Sequence, residues 1–393
     1  MRIVYLCGAL DEATRRARRI DAANLAATQK VFNFCRALRR AGHHASVLSL
    51  GRGRQNGSGE AHAARARRAD GVAVIYARFV HTRWTTHLVS AFSAAALVWR
   101  LHKRGPARDR ITLIAYNRLW HYVPALVLAR VLGMRCFLDL EDGFVTAGRA
   151  TAGRIADKCG ARLFDLLCSR GALLANTALA AQTSLRHRTV WYGVLPAIAA
   201  HADWTRTPLG VMFGGTLHEE RGCRLFMDAV KSLMQSHPAL REQLRFHVTG
   251  HGPMQAELAA FARDSDGWVT FSGLAERAAY LELLGRSHVG LMLNLSSHEM
   301  SRTTFPSKVL EYAAAGLLVV STPVSDVPRF FGAGAAMLLT AESPAALAKI
   351  LAAIAADPQR AAAIAAQGTL RAHENCAAAL LAPRLASFLG GDG

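Results

Sequence analysis

The stretch VGLMLNLSSHEMSRTTFPSKVLEYAAAGLLVVST, residues 289–322, decides the fold. It opens on a short apolar run (289–293), passes through a polar loop (294–304) and closes on a second β-rich run (317–321). Between them Pro306 is placed to open a helix, since a missing N–H is harmless at the first helical position. Strand, loop, helix, strand is the pattern of a βαβ unit on a parallel sheet. Lys308 and Glu311 are three apart and share one face of that helix. A lone Lys–Glu pair at this spacing is most often a surface ion pair. At a helix N-terminus, where amides and the helix dipole favour an anion, it is also what a nucleoside diphosphate requires. The ammonium neutralises phosphate, and the carboxylate accepts two ribose hydroxyls.

Outward from this unit the same alternation continues. Upstream strands are expected at 209–213, 245–249 and 268–271, and a last one at 335–339, with helices at 223–235, 253–263 and 275–286. GGTLHEERG (214–222) follows the first of these strands and carries Gly215, Thr216 and Arg221. TGHGP (249–253) follows the second, with Gly250, His251 and Gly252 in a turn and Pro253 at an expected helix start. Loops at the C-terminal ends of successive parallel strands are where open α/β sheets bind ligands. The first half gives strands at 2–7, 45–50, 72–76, 111–116, 135–140 and 172–176, and a helix at 24–40. Its polar Gly/Arg stretch 51–70 reads as an exposed loop, HADWTRTP (201–208) as a linker, and Ala-rich 358–389 as helix packing back across the domain junction. Two βα domains result, at 1–203 and 204–375, with a returning helix at 376–393.

Composition removes several classes. With 51 % hydrophobic and 19 % charged residues the chain is not disordered. Its most apolar window, 88–99, is too short to span a bilayer, and the run 3–10 lacks the flanks of a signal peptide, so a cytoplasmic location is expected. Seven cysteines stand singly with no C-x-x-C, and sixteen histidines give no H-E-x-x-H, so no metal site is read. The glycine turns lack a full G-x-G-x-x-G and there is no Walker A sequence, which removes NAD(P)-linked and P-loop readings.

The net charge of +19 is unevenly held. Residues 1–200 carry 31 Lys and Arg against 11 Asp and Glu, and the remainder carries 16 against 17. Only 6 of the 47 basic residues are Lys, so a bias toward Arg contributes, yet bias alone would raise both halves. A basic first half points to an anionic partner there. Nucleic acid is disfavoured, because aromatics show no interleaved stacking pattern and no binding motif is present.

The run GGTLHEERG, FHVTGHGP, VTFSGLAERAAYLELLGRSHVGLMLNLSS and FPSKVLEYAAAGLLVVST resembles the donor-binding half of GT-B fold glycosyltransferases, above all the large family 4. The resemblance covers residues 209–330 well; in 1–200 only the βα layout and GVLP (193–196) carry it. It implies two tandem Rossmann-like domains facing a cleft, with the acceptor bound by the first. It also implies transfer from a nucleotide sugar, with retention, using basic residues and helix dipoles in place of a metal, and so no cofactor. By that likeness Arg221 takes the place of the diphosphate-binding Lys, and Glu311 that of the last Glu of E-x7-E, which binds ribose. Thr216 stands where the family usually has Arg, and Thr303 where it has the first Glu. Lys308 matches a P-x-K-x-x-E-Y variant, and Glu299 or Arg302 is the candidate for the donor sugar.

In the first half the strand 135–140 runs into Glu141-Asp142, where family 4 often carries a His-Asp pair facing the reacting sugar. A carboxylate there takes the acceptor's proton, stabilises an oxocarbenium-like charge, or is an ordinary strand-end turn. Asn117 and Arg118 follow the neighbouring strand as acceptor-contact candidates. The expected function is glycosyl transfer to a lipid-linked or anionic cell-envelope glycan, at the inner face of a membrane to which the basic half binds peripherally. The alternatives are a GT-B type 2-epimerase, a transferase for a soluble small molecule, and a non-catalytic subunit.

Overall fold

The computed structural model describes residues 1–20, 25–53, 59–82, 86–104, 111–144 and 150–391. The chain divides into two units, Met1–Val194 with Ala378–Gly393, and Leu195–Ala377. The expected boundaries were 203/204 and 375/376. Residues 195–203 go with the second unit because their backbone is tied there. Leu195 N–H donates to Cys376 O, Ala202 N–H to Ala315 O, and the Asp203 carbonyl is 2.8 Å from His288 Nε2.

The first unit is an eight-stranded sheet. In spatial order its strands are Arg188–Val190, Ala172–Leu174, Arg135–Leu140, Ile111–Tyr116, Arg2–Cys7, His44–Ser49, Val72–Tyr76 and Arg65–Ala69. All pairings are parallel except the last. Its apolar strands are buried on both faces, as parallel sheets require. One face is covered by the helices Thr86–Lys103, Val123–Val131 and Thr151–Leu167, the other by Leu25–Arg40 and the C-terminal helix Ala378–Gly390. That last helix buries Leu381, Leu385 and Leu389 against the unit. The helix start expected at Asn24 lies outside the described residues.

The stretch expected as a loop at 51–70 contains two strands, Ala61–His62 and Arg65–Ala69; residues 54–58 lie outside the described set. Arg65–Ala69 escapes an apolar-periodicity reading because the face it turns to Asp11 and Thr14 carries Arg65 and Arg67, with only Ala69 packing on the core. Arg67 Nη1 lies 3.1 Å from Asp11 Oδ1, and Arg65 Nη2 donates to Thr14 Oγ1 at 2.9 Å. Charged residues are what an edge strand carries to discourage further pairing.

The second unit is a six-stranded parallel sheet in the order Val269–Phe271, Leu244–His251, Leu209–Thr216, Val289–Met292, Leu318–Ser321, Met337–Leu338. Two helices start later than expected. Pro253 lies in a turn ahead of Gln255–Asp264, and Pro306 stands two positions before Lys308–Ala314, with Ser307 as the N-cap between them. The Pro306 carbonyl accepts from Val309 N–H, so proline sets the first turn without belonging to the helix. The polar loop 294–304 holds a short helix, Glu299–Thr303. All seven cysteines are free thiols, with only Cys159 exposed.

Candidate active site

In the second unit the chemistry gathers at the C-terminal edge of the sheet. The central strand Leu209–Thr216 is flanked by Leu244–His251 and Val289–Met292, and the register sets Gly215 against Gly250 and Thr216 against His251. The two loops then meet backbone to backbone. A Cβ on Gly250 would lie 1.9 Å from the Gly215 carbonyl oxygen, and one on Gly252 would lie 2.4 Å from that of Leu217. Both glycines also hold φ values, 142° and 155°, that side chains rarely adopt. Leu217 N–H donates to His251 O and Met254 N–H to Leu217 O, which locks the arrangement. Thr216 and His251 present exposed side chains beside it.

Arg221 ends a single turn, Glu219–Arg221, just before the helix Cys223–Ser236. Its half-buried side chain has no hydrogen-bond or ion-pair partner among the described residues. A guanidinium left in this state beside a ligand edge is available to an anion.

Lys308 and Glu311 do pair, Nζ to Oε2 at 3.1 Å, and both are about a quarter exposed (26 % and 27 %). They are joined by a residue that sequence reasoning missed. Tyr280, on the helix Arg277–Gly285, donates its hydroxyl to Glu311 Oε2 at 2.7 Å and accepts from Lys308 Nζ at 2.8 Å. The ammonium also lies 4.0 Å from the Tyr280 ring centroid. Burial, and then the Glu311 charge, hold the Tyr280 phenol well above its ordinary pKa, so the hydroxyl remains a donor. The cluster therefore offers one cation fixed in place and one carboxylate with an oxygen to spare.

The donor-sugar candidates are placed differently. Arg302 is exposed, and its Nε donates to the Ser296 carbonyl at 3.1 Å, back onto its own loop. Glu299 opens the short helix Glu299–Thr303, with Arg302 in its last turn. Asn294, just after the Val289–Met292 strand, is buried with Oδ1 unpartnered among the described residues, and its backbone carbonyl accepts from Thr322 Oγ1.

The first unit has its own polar cluster at strand ends. Asn117 has φ 60°, a left-handed conformation that asparagine tolerates better than most residues. From there its side chain bridges to the next strand: Oδ1 accepts from Glu141 N–H at 2.7 Å and Asp142 N–H at 3.2 Å, and Nδ2 donates to Asp142 Oδ2 at 2.9 Å. Asn117 thus aims Asp142. Glu141 points inward, 2.5 Å from Lys30 Nζ, both about one-tenth exposed. Beneath it Asp139 is fully buried and accepts from Trp191 Nε1 at 2.9 Å and from the Tyr5 hydroxyl. Lys30 Nζ stacks 4.3 Å from the Trp191 ring. Burial pushes the Glu141 carboxyl up to about 8, with Lys30 opposing and Asp139 adding to the rise. Lys30 was not anticipated, since nothing near it in sequence marks it as a partner for residue 141.

Arg118 is an internal strut. Its guanidinium is 7 % exposed, lies 3.2 Å from Asp165 Oδ1 and donates to the Gln182 carbonyl at 2.7 Å. It braces the loops around Asn117 without presenting a free charge. Among the described residues no group of three or more His, Cys, Asp or Glu gathers about a common point.

The comparisons bear on the fold and the class of domain. A glycosyl transferase-like family profile matches residues 221–384, so the chain carries a domain of that class. Anabaena HepE, solved in complex with UDP, superposes with a TM-score of 0.69 over 99 % of this chain and all of its own, at 15 % identity. Sucrose-phosphate synthase from Thermosynechococcus elongatus gives 0.66 at 12 % identity, over 99 % of each chain. The fold is that of the GT-B glycosyltransferases. Among curated proteins, the phosphatidylinositol N-acetylglucosaminyltransferase gpi3 subunit of Schizosaccharomyces pombe is 23 % identical over 212 residues. That match spans 52 % of this chain and 44 % of the relative, so under half of the relative's length is represented.

Proposed function

We propose that the protein transfers a sugar from a nucleoside diphosphate sugar to a hydroxyl of a lipid-linked or anionic cell-envelope glycan, at the cytoplasmic face of a membrane. The observation that carries the reading is the Tyr280–Lys308–Glu311 cluster, set on the ligand-binding edge of a glycosyl transferase-like domain. In the reaction the bond from the sugar's anomeric carbon to the diphosphate breaks, and a bond from that carbon to the acceptor oxygen forms. The acceptor's proton leaves to a carboxylate, for which Asp142 is the better placed of the two candidates, being half-buried and oriented by Asn117. Lys308 and Arg221 neutralise the departing diphosphate, and Glu311 takes the ribose hydroxyls. Charge neutralisation by these two side chains makes a metal dispensable, so turnover should persist in chelator.

The lipid-linked acceptor is supported by the name of the fission-yeast relative, whose acceptor is a phosphatidylinositol, and by the excess of basic residues in the first half. HepE binds UDP, which makes UDP-sugars the first donors to try. The test is calorimetric titration with UDP-, GDP-, TDP- and CMP-sugars. Lys308→Ala and Glu311→Ala should each weaken the preferred nucleotide by roughly 1–3 kcal/mol, the scale of one charge-assisted contact. Wild-type affinity in both variants removes the cluster from the donor site.

A further inference from the structure

Large apolar side chains exposed to solvent are concentrated on one face of the first unit. Leu88, Phe92 and Trp99 stand on the helix Thr86–Lys103, Trp120 just before Val123–Val131, Val131 at its end, and Leu166 on Thr151–Leu167. Phe92 is 62 % exposed, Val131 78 % and Leu166 65 %. The second unit, by contrast, exposes only Leu274 and Leu370 among its described residues. These three helices cover the same side of the sheet, so the exposed residues share an outward face. On the first helix they recur at i, i+4 and i+11, one stripe of an α-helix.

The charge around the stripe is predominantly positive, Asp157 on Thr151–Leu167 being the acid among it. Arg100, Lys103, Arg130, Arg154 and Lys158 are exposed on the same helices. Together the three helices hold six Lys and Arg against Asp157 and Asp165, the latter buried and paired with Arg118. Lys103 lies over the Trp99 ring, Nζ 5.9 Å from its centroid, the pairing of an aromatic body and a cation suited to a headgroup layer. Beside the stripe is a recess of about 480 Å³ lined by His62, Arg78, Ser93, Leu97 and Arg100. Arg78 and Arg100 have no side-chain hydrogen bond or ion pair among the described residues. Two free guanidinium groups above an apolar floor fit a phosphate ester carrying a hydrocarbon tail.

We infer that this face, centred on Thr86–Lys103, docks the protein flat on an anionic phospholipid bilayer, with Phe92 and Trp99 entering the interface and the recess holding a lipid phosphate. Charge selects this occupant. A second copy of the same basic surface would be repelled, whereas a bilayer of anionic headgroups complements both the cations and the apolar stripe. No described helix is long and apolar enough to cross a membrane. The inference deepens the lipid-linked acceptor reading and is scored apart from it, since binding is measured with no donor or acceptor present.

The experiment is flotation of the full chain with vesicles of phosphatidylcholine alone, or of phosphatidylcholine and phosphatidylglycerol in equal parts. Wild type should float only with the anionic vesicles and release as salt rises. Phe92→Ser with Trp99→Ser should lower the partition by ~10-fold or more, with circular dichroism unchanged. Arg78→Gln with Arg100→Gln should weaken anionic binding also, and Leu274→Ser in the other unit should leave it intact. Equal binding to both vesicle types, or undiminished flotation of the Phe92/Trp99 variant, overturns the inference. So does failure of wild type to float, including the case in which it forms a dimer that the same variant abolishes.

Discussion

Replacing Lys30 with methionine should destabilise the first unit by an amount that grows with pH. Lys30 Nζ is 2.5 Å from Glu141 Oε1, both side chains about one-tenth exposed, with Asp139 fully buried beneath. Burial lifts the Glu141 carboxyl from its ordinary 4.5 to about 8. The folded state therefore keeps a proton that the unfolded chain has already released. Its contribution to stability is complete below about 4.5 and is lost as pH rises through about 8. Wild type should lose roughly 3–5 kcal/mol across that window, at no more than ~1.4 kcal/mol per pH unit from this group. Without Lys30 the carboxyl is pushed higher still and keeps its proton at pH 8.5, where wild type is mostly ionised. At pH 8.5 Lys30→Met should then cost about 1 kcal/mol more than at low pH, the stabilisation that the ionised pair adds about half a pH unit above its midpoint. Near pH 5.5 the carboxyl is protonated either way, and the cost should shrink to the lost contact with the Trp191 ring, ~1 kcal/mol. Urea unfolding followed by tryptophan fluorescence at the two pH values measures both. Glu141→Gln should flatten most of the wild-type slope, and adding it to Lys30→Met should restore most of the lost stability at pH 8.5. Equal costs for Lys30→Met at both pH values, or identical pH slopes for wild type and Glu141→Gln, would refute the reasoning.

Two further substitutions separate architecture from chemistry. Gly250→Ala places a Cβ 1.9 Å from the Gly215 carbonyl oxygen at φ 142°, and should cost ~3 kcal/mol or more of stability in denaturant titration, with nucleotide affinity falling as the two loops part. Asp142→Asn keeps the shape and the bond from Asn117 but removes the base, so turnover should fall ~10²-fold while donor affinity stays near wild type in calorimetry; normal turnover would return Asp142 to the rank of a strand-end turn.

Why some of this was readable in the sequence and some was not follows from what each signal depends on. The strands 2–7, 72–76, 111–116 and 135–140 stand where the alternation of apolar runs and helical patterns puts them, because burial on both faces of a parallel sheet leaves an unbroken β-rich run. Lys308 and Glu311 were legible because one helix turn relates them. Tyr280 was not: it reaches the pair from another helix, 28 residues earlier, and the register of that approach is set only when both helices pack on the sheet. Lys30 and Glu141 are separated in the same way. Arg65–Ala69 was lost because Arg65 and Arg67, held by Thr14 and Asp11, share a face with the one core-packed residue, Ala69, so a pattern of apolar residues could not reveal it.

Arg118 shows the complementary error. A basic residue at a strand end is equally consistent with an open anion contact and with a buried strut, and only the position of Asp165, 47 residues away, decides for the strut. The division of labour that results is physically coherent. Where a charge is neutralised inside the protein, as at Arg118–Asp165 and Lys30–Glu141, it holds backbone in place. Where a charge is left unsatisfied at a sheet edge, as at Arg221, or keeps lone pairs open, as at Glu311, it is free to meet a ligand. The candidate site is the set of polar groups that the fold positions but does not consume.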